Sequence, residues 1–409
     1  MTRSLTLLTL LLALGLHVTP VAAQLDSLLF ITPTDIDAEG KGELRFNIDN
    51  LTYVRDNEYK GCLSKGYTLP GVWNEPTISY QPLANLKVEA GIHMLHYWGA
   101  NKYPNLNYSD IASWKSGQAQ NGFHCLPLFR AQVRLTKSLA VVLGTIYGKQ
   151  NHGLVAPLYN DELNLSADPE AGVQVLLKTH PVDLDAWVNW ESFIFRGDNH
   201  QESFTFGLST RFRPTRRTAR TQVYLPLQAV FQHRGGEINT DATERSIKTW
   251  CNAATGAGID IPLRTRIPVT LNAEATFALY SQQAGTTLPF DSGWGIQAKA
   301  SARIWRFSVG AGYWRCHNFI SIFGNPLYGT LSVDDHVTTL RDPQTLTGHV
   351  EYAQRLGHGF AWGMQGQLFA TLPSDMHNAA GEWQRQGTAF SLGASVFMRI
   401  CPSFLLKRF

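Results

Sequence analysis

The chain has no long apolar run beyond its first residues. A helix that crosses a membrane needs ~20 consecutive apolar residues, and polar residues interrupt every later stretch well before that. This excludes a helical inner-membrane protein. Cysteine is scarce, with 5 among 409 residues, which excludes a disulfide scaffold. The odd count leaves at least one thiol unpaired unless it bonds another chain, and a Cys62–Cys125 loop staple stays open. A surplus of one charge is also missing. The 35 basic and 32 acidic residues leave a formal charge of +3, which argues against nucleic acid as a partner. No Gly/Ser linker, charge block or low-complexity tail divides the chain, and no plug-sized globular domain comes before its strands.

The first residues read as a secretory signal. Arg3 gives a small positive start, Leu5 to Leu16 is a short leucine-rich run, and Val21-Ala22-Ala23 offers a small-residue cleavage site. The expected organisation is a signal peptide at 1–23, an N-terminal periplasmic lead-in at 24–41, and a single domain at 42–409.

That domain alternates. Val269, Leu271, Ala273, Ala275, Phe277 and Leu279 interleave with Thr270, Asn272, Glu274 and Thr276. Period-two alternation puts one set on each face of a strand. Many such strands in an exported chain predict an all-β fold, a transmembrane antiparallel up-and-down β-barrel with lipid outside and a polar lumen. Only helices and closed barrels satisfy the backbone in lipid. Strands are expected near 42–56, 72–81, 85–98, 126–136, 138–148, 169–179, 182–196 and 202–213. They continue near 219–234, 251–263, 267–281, 292–303, 305–316, 344–354, 358–372 and 386–400. The expectation is therefore about 16 strands, with 14 to 18 compatible. Short turns alternate with long connections, as in barrels with brief periplasmic turns and long outer loops. Apolar residues switch from even positions (Trp294, Ile296, Ala298) to odd ones (Trp305, Phe307, Val309), which requires a hairpin or bulge near 303–306. The last strand alternates cleanly and the chain ends in Phe409, an aromatic terminus of the kind read by barrel-assembly machinery, although Cys401-Pro402 interrupts the pattern. A soluble exported β-sandwich would scatter Lys and Glu over both faces, and here one face carries almost no charge.

The inward set supplies the candidate functional residues. Pore-lining candidates are Arg45, Asp49, Lys87, Glu89, Arg130, Arg134, Asp185, Glu191, Arg211, Glu274, Lys299, Arg303, Arg306, Glu351 and Arg399. Walls of both signs suit small hydrophilic solutes, unless the charges pair and close the lumen. About 16 strands are too many to fill with wall side chains alone, which favours an open lumen. The candidate constriction loop is 149–168, with His152, Tyr159, Asp161, Glu162 and Asp168. Its leucines should pack onto something, either the wall or a partner. Its acidic residues lack EF-hand spacing, so no metal is expected, and no cofactor. His124-Cys125 and Cys316-His317 lie at the rim without diagnostic spacing, and no GxSxG elbow occurs. The arginines from Arg213 to Arg220 read as a solvated turn near lipid headgroups.

Several stretches resemble a known family: Pro127-Leu128-Phe129-Arg130, Gly144-Thr145-Ile146-Tyr147-Gly148, His152-Gly153-Leu154 with Pro157-Leu158-Tyr159, Asp168-Pro169-Glu170, and Trp187-Val188-Asn189-Trp190. They resemble uncharacterised porin-like outer-membrane barrels of the Bacteroidota type, most densely over 42–213. The resemblance implies a Gram-negative outer-membrane location and no particular activity. The leading expectation is a channel for passive diffusion of small hydrophilic solutes, and not an enzyme. Lipid, solutes and assembly machinery are its expected partners, and homo-oligomerisation is left open. A non-channel component of a secretion or surface-assembly complex is the second reading, and a surface enzyme the third.

Overall fold

A computed structural model of the protein describes residues 25–98, 123–192, 200–236 and 246–409. The expected signal peptide at 1–23 lies outside the described residues. The wall begins with β1 (Glu43–Glu58), β2 (Tyr67–Leu83), β3 (Leu86–Tyr97), β4 (Phe123–Arg134) and β5 (Leu139–Thr145). It continues with β6 (Ala171–Lys178), β7 (Val182–Ser192), β8 (Ser203–Phe212), β9 (Gln222–Arg234) and β10 (Lys248–Leu263). Next come β11 (Val269–Ala284), β12 (Ser292–Ile304) and β13 (Phe307–His317). A short β14 (Thr339–Leu340) precedes β15 (Gln344–Gly357) and β16 (Phe360–Thr371). After β17 (Ser374–His377) and β18 (Trp383–Gln386), β19 (Ala389–Ile400) and β20 (Ser403–Arg408) complete the chain. β14, β17 and β18 form a separate small sheet.

Each wall strand pairs antiparallel with the next, and the last returns to the first. Ile400 of β19 sits opposite Asn50 of β1, and Ser403 of β20 opposite Asn47. β19 and β20 are thus one strand, broken at Cys401-Pro402 where proline removes a ladder donor. The result is a closed antiparallel barrel of 16 strands. The expected phase switch is a tight hairpin in which Ile304 pairs with Phe307 and Trp305 takes a left-handed φ of 56°. At the chain end, the Phe409 N–H donates to the Gly42 carbonyl at 2.9 Å.

Alternation sorts the faces. Val54, Ile78, Phe129, Leu143, Leu227, Phe277, Ile296, Val309, Val350 and Val396 all point outward and exposed. A belt of that extent matches a lipid-facing barrel wall. No described helix is long and apolar enough to cross a membrane.

The interior is not empty. The segment expected as a lead-in runs inside the barrel. Its helix Leu25–Leu29 packs on β15, β16 and β19. Gly363 makes room for it, since a Cβ there would lie 2.5 Å from the Leu25 side chain. The chain then crosses the lumen toward β4. Arg399 donates to the Ile31 carbonyl at 3.2 Å, Gln132 to that of Thr34 at 2.5 Å, and Arg134 to that of Ile36 at 2.6 Å.

Two outer loops, 146–170 and 318–343, also fold inward. Leu158, Leu163, Leu165, Phe319, Ile322, Phe323 and Leu327 are buried in one apolar cluster with wall residues from around the whole circumference. Those wall residues include Tyr53, Trp73, Trp187, Trp250, Trp314 and Phe369. The outer half of the lumen is therefore filled by packed side chains, where a strand count alone favoured an open bore. The packing of the 149–168 leucines is onto the wall and onto the second loop.

Candidate functional site

The wall has a gap in its outer half. β3 pairs with β4 all the way to Phe123, but β5 accompanies β4 only along Arg130–Arg134. The chain leaves the wall at Gly144, whose φ of 87° suits glycine, and returns at Ala171. Thr145 opposite Ala171 is the last rung of β5 with β6. Among the described residues, the edge of β4 from 123 to 129 faces no strand until β7. Pro127, which has no N–H to offer, lies on this edge. Two absent strands leave a notch roughly 14 Å wide, from the ~4.8 Å spacing of neighbouring strands. The strand expected at 138–148 stops at Thr145, because Ile146 and Tyr147 continue the apolar pattern while turning inward, and its partner, expected from 169, pairs only from Ala171.

Behind the notch lies a pocket of about 260 Å³. Its lining includes Leu126 of β4, Asp168, Pro169 and Glu170 of the returning chain, and Trp187, Trp190 and Glu191 of β7. Leu154, Tyr159, Val230 and Phe323 add apolar surface. The His124 Nδ1 meets the Asp168 carboxylate at 3.2 Å, a bridge from the β4 edge to the returning chain. His152 is clamped between Asp185 at 2.8 Å and Glu170 at 3.0 Å. Its ring stacks on Trp187 with centroids 3.5 Å apart. Burial alone would lower the His152 imidazole, but Glu170 and Asp185 outweigh it and raise it to about 9. It is a fixed cation at neutral pH, with both nitrogens occupied, and so an anchor rather than a base. Glu191 accepts from Ser203 at 2.6 Å, Thr205 at 2.5 Å and Gln232 at 2.9 Å.

The other constriction-loop candidates serve as fasteners. Asp161 and Glu162 both engage Arg55, at 3.2 and 3.1 Å, and Glu162 also accepts from Tyr67 at 2.6 Å. The Arg55 side chain is only 1% exposed. Arg55 is absent from the pore-lining candidates, although it lies within the expected first strand at 42–56 and continues the inward series Leu51, Tyr53, Arg55, Asn57. Tyr159 lines both the pocket and the lumen cavity. Asp168 lies apart from the Arg55 cluster, so the acidic set does not converge.

The pore-lining candidates lie in the inner half or along the wall, and most are paired. Arg399 meets Asp49 at 2.6 Å, Arg130 meets Glu89 at 2.9 Å, and Lys87 meets Glu89 at 2.8 Å. Arg45 meets Glu43 at 2.8 Å, Lys299 meets Glu274 at 2.9 Å, and Arg303 meets Asp260 at 3.6 Å. Arg211 lies over Tyr224, and Arg306 over Trp305. Arg134 holds the N-terminal segment, Asp185 holds His152, and Glu351 accepts from Gln365 at 3.4 Å. A cavity of about 740 Å³ remains among these groups, bordered by Asp26, Arg211, Glu274, Lys299, Arg303 and Glu351. It reaches Lys178, Asp183 and Arg213 at the short-turn end. All five cysteines are free, so no Cys62–Cys125 staple forms.

Among curated proteins, none matches this sequence. Of solved structures, Pseudomonas aeruginosa OpdL is 10% identical with a TM-score of 0.45, covering 88% of this chain and 98% of its own. OpdK of the same organism, solved with vanillate, is 11% identical with a TM-score of 0.47, covering 89% of this chain and 100% of its own. Acinetobacter baumannii OccAB1 is 10% identical with a TM-score of 0.44, covering 91% of this chain and 99% of its own. At these identities and scores the likeness says nothing of solute or activity. A family model described as lipid A 3′-O-deacylase-type matches residues 36–409. The stretches that resemble outer-membrane barrels fall inside that span, and the match gives the barrel family an activity in its description. It also overturns the expectation that the chain is not an enzyme. With nearly its whole length matched, the chain belongs to the lipid A 3′-O-deacylase-type family.

Proposed function

We propose that this chain is an outer-membrane hydrolase that cleaves an acyl ester of an outer-leaflet lipid, the activity its family description carries. The observation that supports this most is the notch, which sets a partly apolar pocket against the lipid-facing wall at outer-leaflet depth. An acyl chain can enter such a pocket sideways without leaving a hydrophobic environment. The His124–Asp168 pair ties the β4 edge of the notch to the returning chain and is the acid–base couple assigned to proton transfer. Water adds to the ester carbonyl carbon while the couple takes its proton. Collapse expels the alkoxide, which recovers that proton, leaving a free fatty acid and an alcohol. The His152 cation holds Glu170 in place at the pocket and ties it to Asp185 of the wall.

The test is mass spectrometry of outer-membrane lipid from cells with and without the chain. Loss of one acyl group is expected with the wild type and not with His124→Gln at equal barrel content. Unchanged lipid with a folded wild-type barrel contradicts the proposal.

Solute passage is a second reading, favoured by the 740 Å³ polar cavity at the short-turn end. It requires the inward loops to withdraw. Steady open steps in planar bilayers would support it, and silence would count against it.

A further inference from the structure

Two neighbouring turns at the short-turn end carry an arginine surface that neither reading uses. The β8–β9 turn presents Arg216, Arg217 and Arg220, and the β10–β11 turn presents Arg264 and Arg266, all exposed. Arg220 donates to the Pro262 carbonyl at 2.9 Å and so ties the two turns together. The acidic residues nearby are already engaged, Asp183 by Arg213 at 2.6 Å and Asp260 by Arg303 at 3.6 Å. Neither turn contains Asp or Glu. Among the described residues, no carboxylate lies within ion-pair distance of Arg216, Arg217, Arg264 or Arg266.

The apolar belt reaches this patch. Phe212, Leu225, Leu263 and Ile267 are 40–54% exposed on the outward face of the same strand ends and turns, and Trp305 stands on a turn at the same end. The arginines therefore sit at the edge of the hydrocarbon layer, at the level of the headgroups of the inner leaflet. Guanidinium groups match phosphate oxygens in pairs.

We propose that this surface binds the phosphate headgroup of an anionic phospholipid of the inner leaflet, with the acyl chains lying along Leu263 and Ile267. Such a lipid fixes the depth of the barrel on the side away from the notch. Each arginine near an anionic surface strengthens binding roughly five-fold.

The test uses the full chain in detergent, titrated with phosphatidylglycerol, phosphatidylcholine or inorganic phosphate. Retained lipid is counted by native mass spectrometry, and the melting temperature is followed alongside. Phosphatidylglycerol should be retained many-fold over phosphatidylcholine and should raise the melting temperature. The variant R216Q/R217Q/R264Q/R266Q should lose that preference while keeping its heat-modifiable barrel. If that variant does not fold, the pair R217Q/R266Q should lower retention by at least ten-fold in its place. Equal retention of the two lipids overturns the proposal, as does undiminished retention by a folded variant. An equal thermal shift from inorganic phosphate also overturns it, because the site would then take the free anion.

Discussion

The two halves of this barrel solve the same problem in opposite ways. In the short-turn half the lumen keeps its charges, and they close side by side into ion pairs between neighbouring strands, such as Arg399–Asp49 and Lys299–Glu274, around a polar cavity. In the long-loop half the lumen is an apolar core built from segments that left the wall to fill it. The wall reflects the difference. It is continuous where the lumen is polar, and interrupted between β4 and β7 where the chain that would complete it has turned inward. A strand that supplies plug cannot also supply wall, so filling the lumen opens the side. The side opening faces lipid rather than water, and that directs attention from solute to lipid.

The largest expected effect comes from removing the plug. Replacing residues 147–169 by a short turn should convert a silent barrel into one with stable conducting steps in planar bilayers. Continued silence would mean that loop 318–343 and the N-terminal segment close the lumen by themselves.

Arg55→Ala should be the next largest. It leaves Asp161 and Glu162 without their buried cation, a loss of about 3–5 kcal/mol for a broken buried pair. Faster protease cutting inside 146–170, with the barrel intact, is the readout.

The His152 clamp predicts a pH dependence. The imidazole is raised from 6.5 to about 9 in the fold, so the clamp's stabilisation is complete below about pH 6.5. It fades as pH rises through 9, and is roughly 3 kcal/mol in full. Melting temperature should fall across that window in the wild type. In His152→Gln it should be lower at neutral pH and flat across the window.

At the bottom of the scale, Arg385→Gln breaks only the exposed Arg385–Asp375 pair. It should change stability by less than about 1 kcal/mol in the same melting assay. A large change there would show that the small outer sheet supports the plug.

The wall was legible in the sequence because period-two alternation is dictated by lipid on one side. The register switch at Trp305 and the inward positions of Arg45, Glu89 and Glu274 follow from that alternation. The fate of the loops was only partly legible. Leucines in 149–168 signalled packing, and the same signal in Phe319, Ile320, Ile322 and Phe323 marks the second plug loop. No local pattern says that residues 25–41 thread back into the lumen, since that segment is short and held mainly through its backbone carbonyls by Arg399, Gln132 and Arg134. The notch was hidden for a related reason. Ile146 and Tyr147 look like continuing strand, and only Gly144 and Pro127 mark the place where pairing stops. The proposed His124–Asp168 couple was not legible, because the two residues are 44 positions apart and share no motif.

Lipid contact inside the pocket is the most direct test of a lateral entrance. A photoreactive residue at Leu126 should capture outer-leaflet lipid, as one at the lipid-facing Phe129 should, while one at the fully packed Leu158 should capture none. Lipid adducts at Phe129 with none at Leu126 would contradict the account.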